Sequence, residues 1–136
     1  MISGTMIFSL IVAFYYGEPS DIRAFIESIA LGSISGSILI LLGKNAGKDF
    51  YRKEGLATVA LAWIFAGILG AMPFYLSGHF PSFTDSLFES ISGFTTTGSS
   101  ILTNIEAMPN GILFWRSFIQ WLGGMGIIIL SIAILP

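Results

Sequence analysis

Between two long apolar segments lies a polar run, Phe94-Thr95-Thr96-Thr97-Gly98-Ser99. Lipid offers no hydrogen bonds, so backbone of this kind is tolerated at membrane depth only where it is buried in protein or lines a water-filled path. The chemistry that suits these residues is cation coordination, in which stacked carbonyl oxygens replace the ion's hydration shell. Threonine is β-branched and favours extended backbone, so the carbonyls of Thr95, Thr96 and Thr97 can face a pore while the side chains pack behind. Gly98 reaches positive φ without steric cost, which lets successive carbonyls share one axis. No acidic ring accompanies the run, so selection would rest on carbonyl geometry in Thr95, Thr96, Thr97, Gly98 and Ser99. A capped external turn is the plainer reading of the same residues, but the flanking segments favour the filter.

Asp85 and Glu89 stand four apart, on one helix face. They are expected to form structural or electrostatic support behind the filter. Paired carboxylates can also do acid–base work, but no nucleophile, metal cluster or substrate cleft accompanies them, so an enzyme is not expected. Arg116 opens the last apolar segment. A charge at the membrane centre costs at least about 2.5–3.5 kcal/mol, so Arg116 either pairs with Glu89 or Asp85 or snorkels to the outer interface. If Glu89 is the partner, exchanging the two charges should restore folding lost in the single variants. Glu27 reads as interfacial and His79 as a solvated loop residue. Trp115 reads as an interface anchor and Trp121 as a packing residue. Gly123-Gly124-Met125-Gly126 reads as a surface against which a pore loop or helix packs closely.

These groups must be held by membrane helices. The 136-residue chain is 54% hydrophobic and 10% charged, with mean hydropathy +0.83, against about 25% charged in soluble domains. The absence of cysteine and the single histidine exclude disulfides, Cys-based metal sites and His-rich zinc sites. No cofactor is expected beyond a transported ion. The net charge of −2 does not itself decide about nucleic acid, and no such partner is expected. The N-terminal segment lacks a basic leader and a cleavage site, so it reads as a mature membrane helix.

Four long apolar segments are predicted, at about 2–16, 22–43, 55–77 and 111–135. Ser20 or Asp21 is expected to cap the second, which carries Gly32 and Gly36 at a close-packing spacing. Pro73 should kink or end the third. Between the third and fourth, Phe83, Leu87, Phe88 and Ile91 repeat at helical spacing after Ser82, a candidate N-cap. A 12-residue helix rises about 18 Å, short of the roughly 30 Å hydrocarbon core, and an extended return over 95–98 covers about 13 Å. Those lengths suit a re-entrant pore loop. The Lys44–Lys53 loop holds four of the six basic residues and should be cytoplasmic, which places both termini inside and the pore loop outside.

The stretches Phe88-Glu89-Ser90-Ile91-Ser92-Gly93-Phe94-Thr95-Thr96-Thr97-Gly98-Ser99 and Trp115-Arg116-Ser117-Phe118-Ile119-Gln120-Trp121-Leu122-Gly123-Gly124-Met125-Gly126 closely resemble the Trk/Ktr/HKT superfamily of potassium transporters, and within it the bacterial Trk-type membrane subunit. The resemblance extends over nearly the whole chain. It implies an all-α integral membrane fold: two additional transmembrane helices in residues 1–43, a cytoplasmic basic loop at 44–54, and the first helix–pore loop–helix repeat in 55–136. It also implies potassium uptake across the cell inner membrane, with Thr96, Thr97 and Gly98 supplying filter carbonyls and Thr95 and Ser99 flanking them. Members carry four repeats around one pore, so completion by the remaining repeats or by a homo-oligomer is expected. A cytosolic nucleotide-binding regulatory subunit is a further implied partner, besides membrane lipid. The alternative is a non-conducting truncated repeat that associates with a full-length transporter.

Overall fold

The computed structural model describes residues 2–44 and 52–134. The predicted basic loop therefore lies largely outside the described residues. Among those described there is no strand, and the elements are α1 (Ile2–Tyr16), α2 (Pro19–Gly43), α3 (Arg52–Leu76), α4 (Phe83–Phe94), a 3-10 turn (Ile105–Ala107) and α5 (Asn110–Ile134). The sequence reading missed the 3-10 turn, whose few residues carry no periodic signal.

Gly17 turns the chain with φ 68°, and α2 then starts at Pro19, earlier than expected. Proline fits the first helical turn because its missing N–H would have been unpaired there anyway. Glu18, not Ser20 or Asp21, takes the cap position, and its side chain makes no cap bond to α2. The 25 residues of α2 and the 20 residues 57–76 of α3 are long and apolar enough to cross a membrane. Helix α3 runs through the buried Pro73 and ends three residues later at Leu76.

Helix α4 is wedged between α3 and α5, which barely touch each other directly, while α1 packs on α2 and α5 and α2 packs on α3. Its N-cap is Ser82, as expected, whose Oγ accepts the Asp85 N–H at 3.1 Å. Its amphipathicity is inverted. The polar face (Ser86, Glu89, Ser90, Gly93) is buried, whereas Phe83, Phe88 and Ile91 on the other face are exposed. In an apolar surrounding that arrangement hides the polar groups among partners and leaves hydrocarbon outside. Met6, Phe25, Phe74, Ile112, Trp115 and Ile119 are fully buried where α1, α2, α3 and α5 converge. Phe25 meets Trp115 edge-on at 6.4 Å.

Candidate functional site

The end of α4 builds the polar run. Thr96 N–H donates to Gly93 C=O at 2.9 Å and Thr97 N–H reaches back to Ser92 C=O at 3.0 Å. These two bonds are the paired closure of a Schellman motif. Its left-handed position, usually glycine, is occupied by Thr96 at φ 57°. For a β-branched residue that is a true outlier, held by the surrounding bonds. Gly98 is also left-handed, at φ 74°. The segment is thus not the extended return that threonine content suggested. Left-handed residues alternate with others along it, because the helix cap sets the first reversal and glycine permits the second.

Carbonyl accounting divides the run. Thr95 C=O accepts the Thr96 hydroxyl at 2.7 Å and Ser99 C=O accepts the Ser92 hydroxyl at 2.6 Å. Among the described residues, no donor reaches the carbonyls of Thr96, Thr97 or Gly98. The Thr95 hydroxyl is spent locally, 2.8 Å from both Ile91 O and Thr97 Oγ1.

Behind the run, Glu89 is 1% exposed and holds three donors. Arg116 Nε lies 2.5 Å from its Oε1, and Oε2 accepts the Ser100 hydroxyl at 3.0 Å and the Ile101 N–H at 3.3 Å. One carboxylate therefore ties α4, the segment that follows the polar run and α5 together. The pairing is with Glu89. Asp85 is engaged instead at the start of α4, where its Oδ2 accepts the Ser82 hydroxyl at 2.8 Å. A simple charge exchange would not restore this site fully, because a guanidinium at position 89 cannot accept the Ile101 N–H.

Glycines set how closely the helices approach. A Cβ at Gly123 would collide with the Phe94 carbonyl, so α5 receives the end of α4 directly against its backbone. At Gly93 and Gly70 a Cβ would lie 2.6 Å from Ile119 and Phe94 side-chain atoms respectively. Two α3 carbonyls exposed at glycines take bonds from the neighbours: Gly67 C=O from the Ser90 hydroxyl at 2.8 Å, and Gly70 C=O from Trp115 Nε1 at 3.0 Å. Trp115 is thus a fully buried linker between α5 and α3, while Trp121 is 57% exposed. Trp115 is therefore not the interface anchor expected, since the glycine-rich α3 face offers an indole acceptor that sequence spacing does not reveal, and Trp121 packs only partly, against Phe118.

Two contacts join the N-terminal helices to the loop side. Glu18 caps α5, its Oε1 accepting Asn110 N–H at 2.7 Å and its Oε2 accepting Gly111 N–H at 2.9 Å. A carboxylate at a helix N-terminus is favoured by the macrodipole. His79 is not merely solvated: its Nε2 lies 3.1 Å from Oδ1 of the buried Asp21. Glu27 is exposed on α2 and outside this cluster. The reading from residue types missed Ser92, Ser100, Ser90 and Glu18. The recoverable signal was the polar stripe Ser86, Glu89, Ser90, Gly93 at helical spacing, too polar to face lipid.

A family described as cation transport protein, TrkH, matches residues 21–136. The chain is 41% identical over 138 residues to the Trk system potassium uptake protein TrkH of Salmonella typhimurium, an alignment covering 100% of this chain and 28% of that protein. It is 41% identical over 125 residues to an uncharacterized cation transporter of Methanocaldococcus jannaschii, covering 92% of this chain and 26% of that one. The crystal structure of the potassium transporter TrkH from Vibrio parahaemolyticus superposes with TM-score 0.90 at 34% identity, covering 98% of this chain and 29% of the other. The chain spans somewhat over a quarter of the length of these relatives.

Proposed function

The chain belongs to the TrkH family of cation transport proteins, and on that premise we propose that it serves potassium uptake as the first pore repeat of a Trk-type transporter in the cytoplasmic membrane. Residues 1–43 are accessory membrane helices, 44–54 a cytoplasmic loop, and 55–136 the helix–pore loop–helix repeat. The observation that carries the reading is the set of three carbonyls, Thr96, Thr97 and Gly98, that receive no donor among the described residues, at the C-terminal end of a buried-polar short helix. The partial negative charge of that helix end favours a cation. Thr95 and Ser99 flank the three and fix their neighbours.

Ion passage requires sites strong enough to replace water and weak enough to release the ion. Neutral carbonyls behind which Glu89 is already neutralised by Arg116 meet that need. The same pairing argues against catalysis, since Asp85 and Glu89 are both committed to structural hydrogen bonds. The basic 44–53 region supports cytoplasmic termini and an outward-facing Glu18 and His79. Companion repeats, or further copies of this one, complete the ring, with a cytosolic nucleotide-binding subunit as the regulatory partner.

The test is rubidium flux into liposomes, measured for the chain alone and assembled with companion repeats, each with Gly98 and with Gly98→Ala. In the assembled form Gly98→Ala is expected to lose preference for potassium over sodium, because a left-handed φ disfavours any side chain by about 1–2 kcal/mol. Unchanged preference would sink the filter reading. Flux from the chain alone would show self-assembly; its absence, with flux restored by companions, would show that conduction belongs to the larger assembly.

A further inference from the structure

We infer that Ser92 is a positioning residue for ion selection, holding the Gly98 carbonyl in line by gripping the peptide planes on both sides of it. The inference rests on the reading of 95–99 as a filter. Ser92 sits in the last turn of α4 and is 6% exposed. Its carbonyl accepts the Thr97 N–H at 3.0 Å and, at the longer distance of 3.5 Å, the Gly98 N–H. Its hydroxyl donates to the Ser99 carbonyl at 2.6 Å. One residue therefore fixes the plane that precedes Gly98 and the plane that follows Ser99.

The plane between them carries the Gly98 carbonyl, and nothing among the described residues bonds to it. Glycine reaches positive and negative φ about equally well. That plane would be free to turn its oxygen away from the ion path if its neighbours were released. A Cβ at Gly98 would find only Gln120 Nε2, at 3.7 Å, so Gly98→Ala tests the left-handed φ and not a steric clash. The restraint comes from Ser92. Of its bonds, those to the Ser92 carbonyl belong to the helix cap and survive any substitution. The hydroxyl bond is the one that the side chain decides, and it anchors the outer end of the segment.

The experiment measures rubidium uptake against rising sodium in the assembled transporter carrying Ser92→Ala, Ser92→Thr, Ser90→Ala or Gly98→Ala. Ser92→Ala is expected to lower potassium-over-sodium preference by about three- to tenfold, the worth of one net hydrogen bond, and Ser92→Thr to keep it. Ser90→Ala removes a more deeply buried serine bond from the same helix, to Gly67 C=O, and is expected to lower thermal stability at least as much without moving selectivity. If Ser92→Ala is not recovered as folded protein, Ser92→Cys, a weaker donor, is expected to fall between serine and alanine in preference. Wild-type preference in Ser92→Ala or Ser92→Cys, with loss in Gly98→Ala, overturns the inference and leaves the filter reading intact. A Ser90→Ala selectivity shift as large as that of Ser92→Ala overturns it as well, by showing general loosening. Unchanged preference in Gly98→Ala overturns the filter reading itself.

Discussion

The α1–α2 pair and the α3–α5 repeat use the same small residues in opposite ways. In α2 the serines bond within their own helix: Ser28 to Ala24 C=O at 2.7 Å, Ser35 to Gly32 C=O at 3.1 Å, and Ser37 to Ser33 C=O at 2.8 Å. In the repeat Ser77, Ser86 and Ser117 do the same, but three others cross between elements, Ser90 to α3, Ser92 to the polar run and Ser100 to Glu89. The glycines follow suit. Gly4 and Gly36 face open space, and in the pair only Gly32 is crowded, by Ser3. In the repeat, Gly67, Gly70, Gly93 and Gly123 all meet neighbouring atoms closely. A hydroxyl that bonds its own helix satisfies itself at any depth, so it sets no position. A hydroxyl that crosses to another element does set one. The difference separates a pair of helices whose serines bond at home from a repeat in which hydroxyls fix the backbone of neighbouring elements.

The sharpest way to break that contrast is to strand a charge. Arg116→Met leaves Glu89 buried without its cation, and loss of one partner of a buried pair costs about 3–5 kcal/mol. Thermal unfolding in detergent should show the largest drop of any variant here. Combining it with Glu89→Gln should recover part of the loss, because glutamine keeps an acceptor for Ser100 and Ile101 while shedding the charge. A double variant as unstable as Arg116→Met alone would mean that the ion pair is not what holds α4 to α5.

The glycines give the next test. Gly123→Ala drives a Cβ into the Phe94 carbonyl, and backbone has no rotamer with which to yield. About 1–3 kcal/mol of destabilisation is expected from such overpacking. Gly36→Ala meets nothing and should be neutral or stabilising by up to about 1 kcal/mol through helix propensity. Equal effects at the two positions would erase the distinction between the two regions.

Most of the architecture was legible in the sequence, because apolar runs of membrane length and their breakers are strong local signals. The limits of α1, the Ser82 cap and the shortness of α4 follow from such signals, and so does a left-handed Gly98. What escaped depends on tertiary approach. Thr96 is left-handed only because the cap of α4 closes around it, and residue type argues the reverse. Trp115 is buried because Gly70 presents an acceptor forty-five residues away in sequence. Glu18 caps a helix ninety-two residues on. Of the two carboxylates on α4, helical spacing made both candidates for Arg116; the N-cap geometry, which draws Asp85 to Ser82, decides for Glu89.

Thr96 offers a smaller effect of the opposite sign. Thr96→Gly removes the Cβ from a left-handed position and should raise the thermal midpoint by a margin equivalent to about 1 kcal/mol, while loosening the run. A lower midpoint would mean that the threonine contacts outweigh the strain. The smallest contrast expected is between two serines. Ser90→Ala forfeits the bond that ties α4 to Gly67 C=O of α3, worth about 1 kcal/mol. Ser28→Ala gives up only a bond to its own helix, whose carbonyl keeps its backbone partner, so the midpoint should barely move. Both side chains are fully buried, and burial therefore cannot explain a difference. If Ser28→Ala proved as costly as Ser90→Ala, the hydroxyls of the first pair would be positioning groups too, and the division between bonding at home and fixing a neighbour would have to be redrawn inside α2.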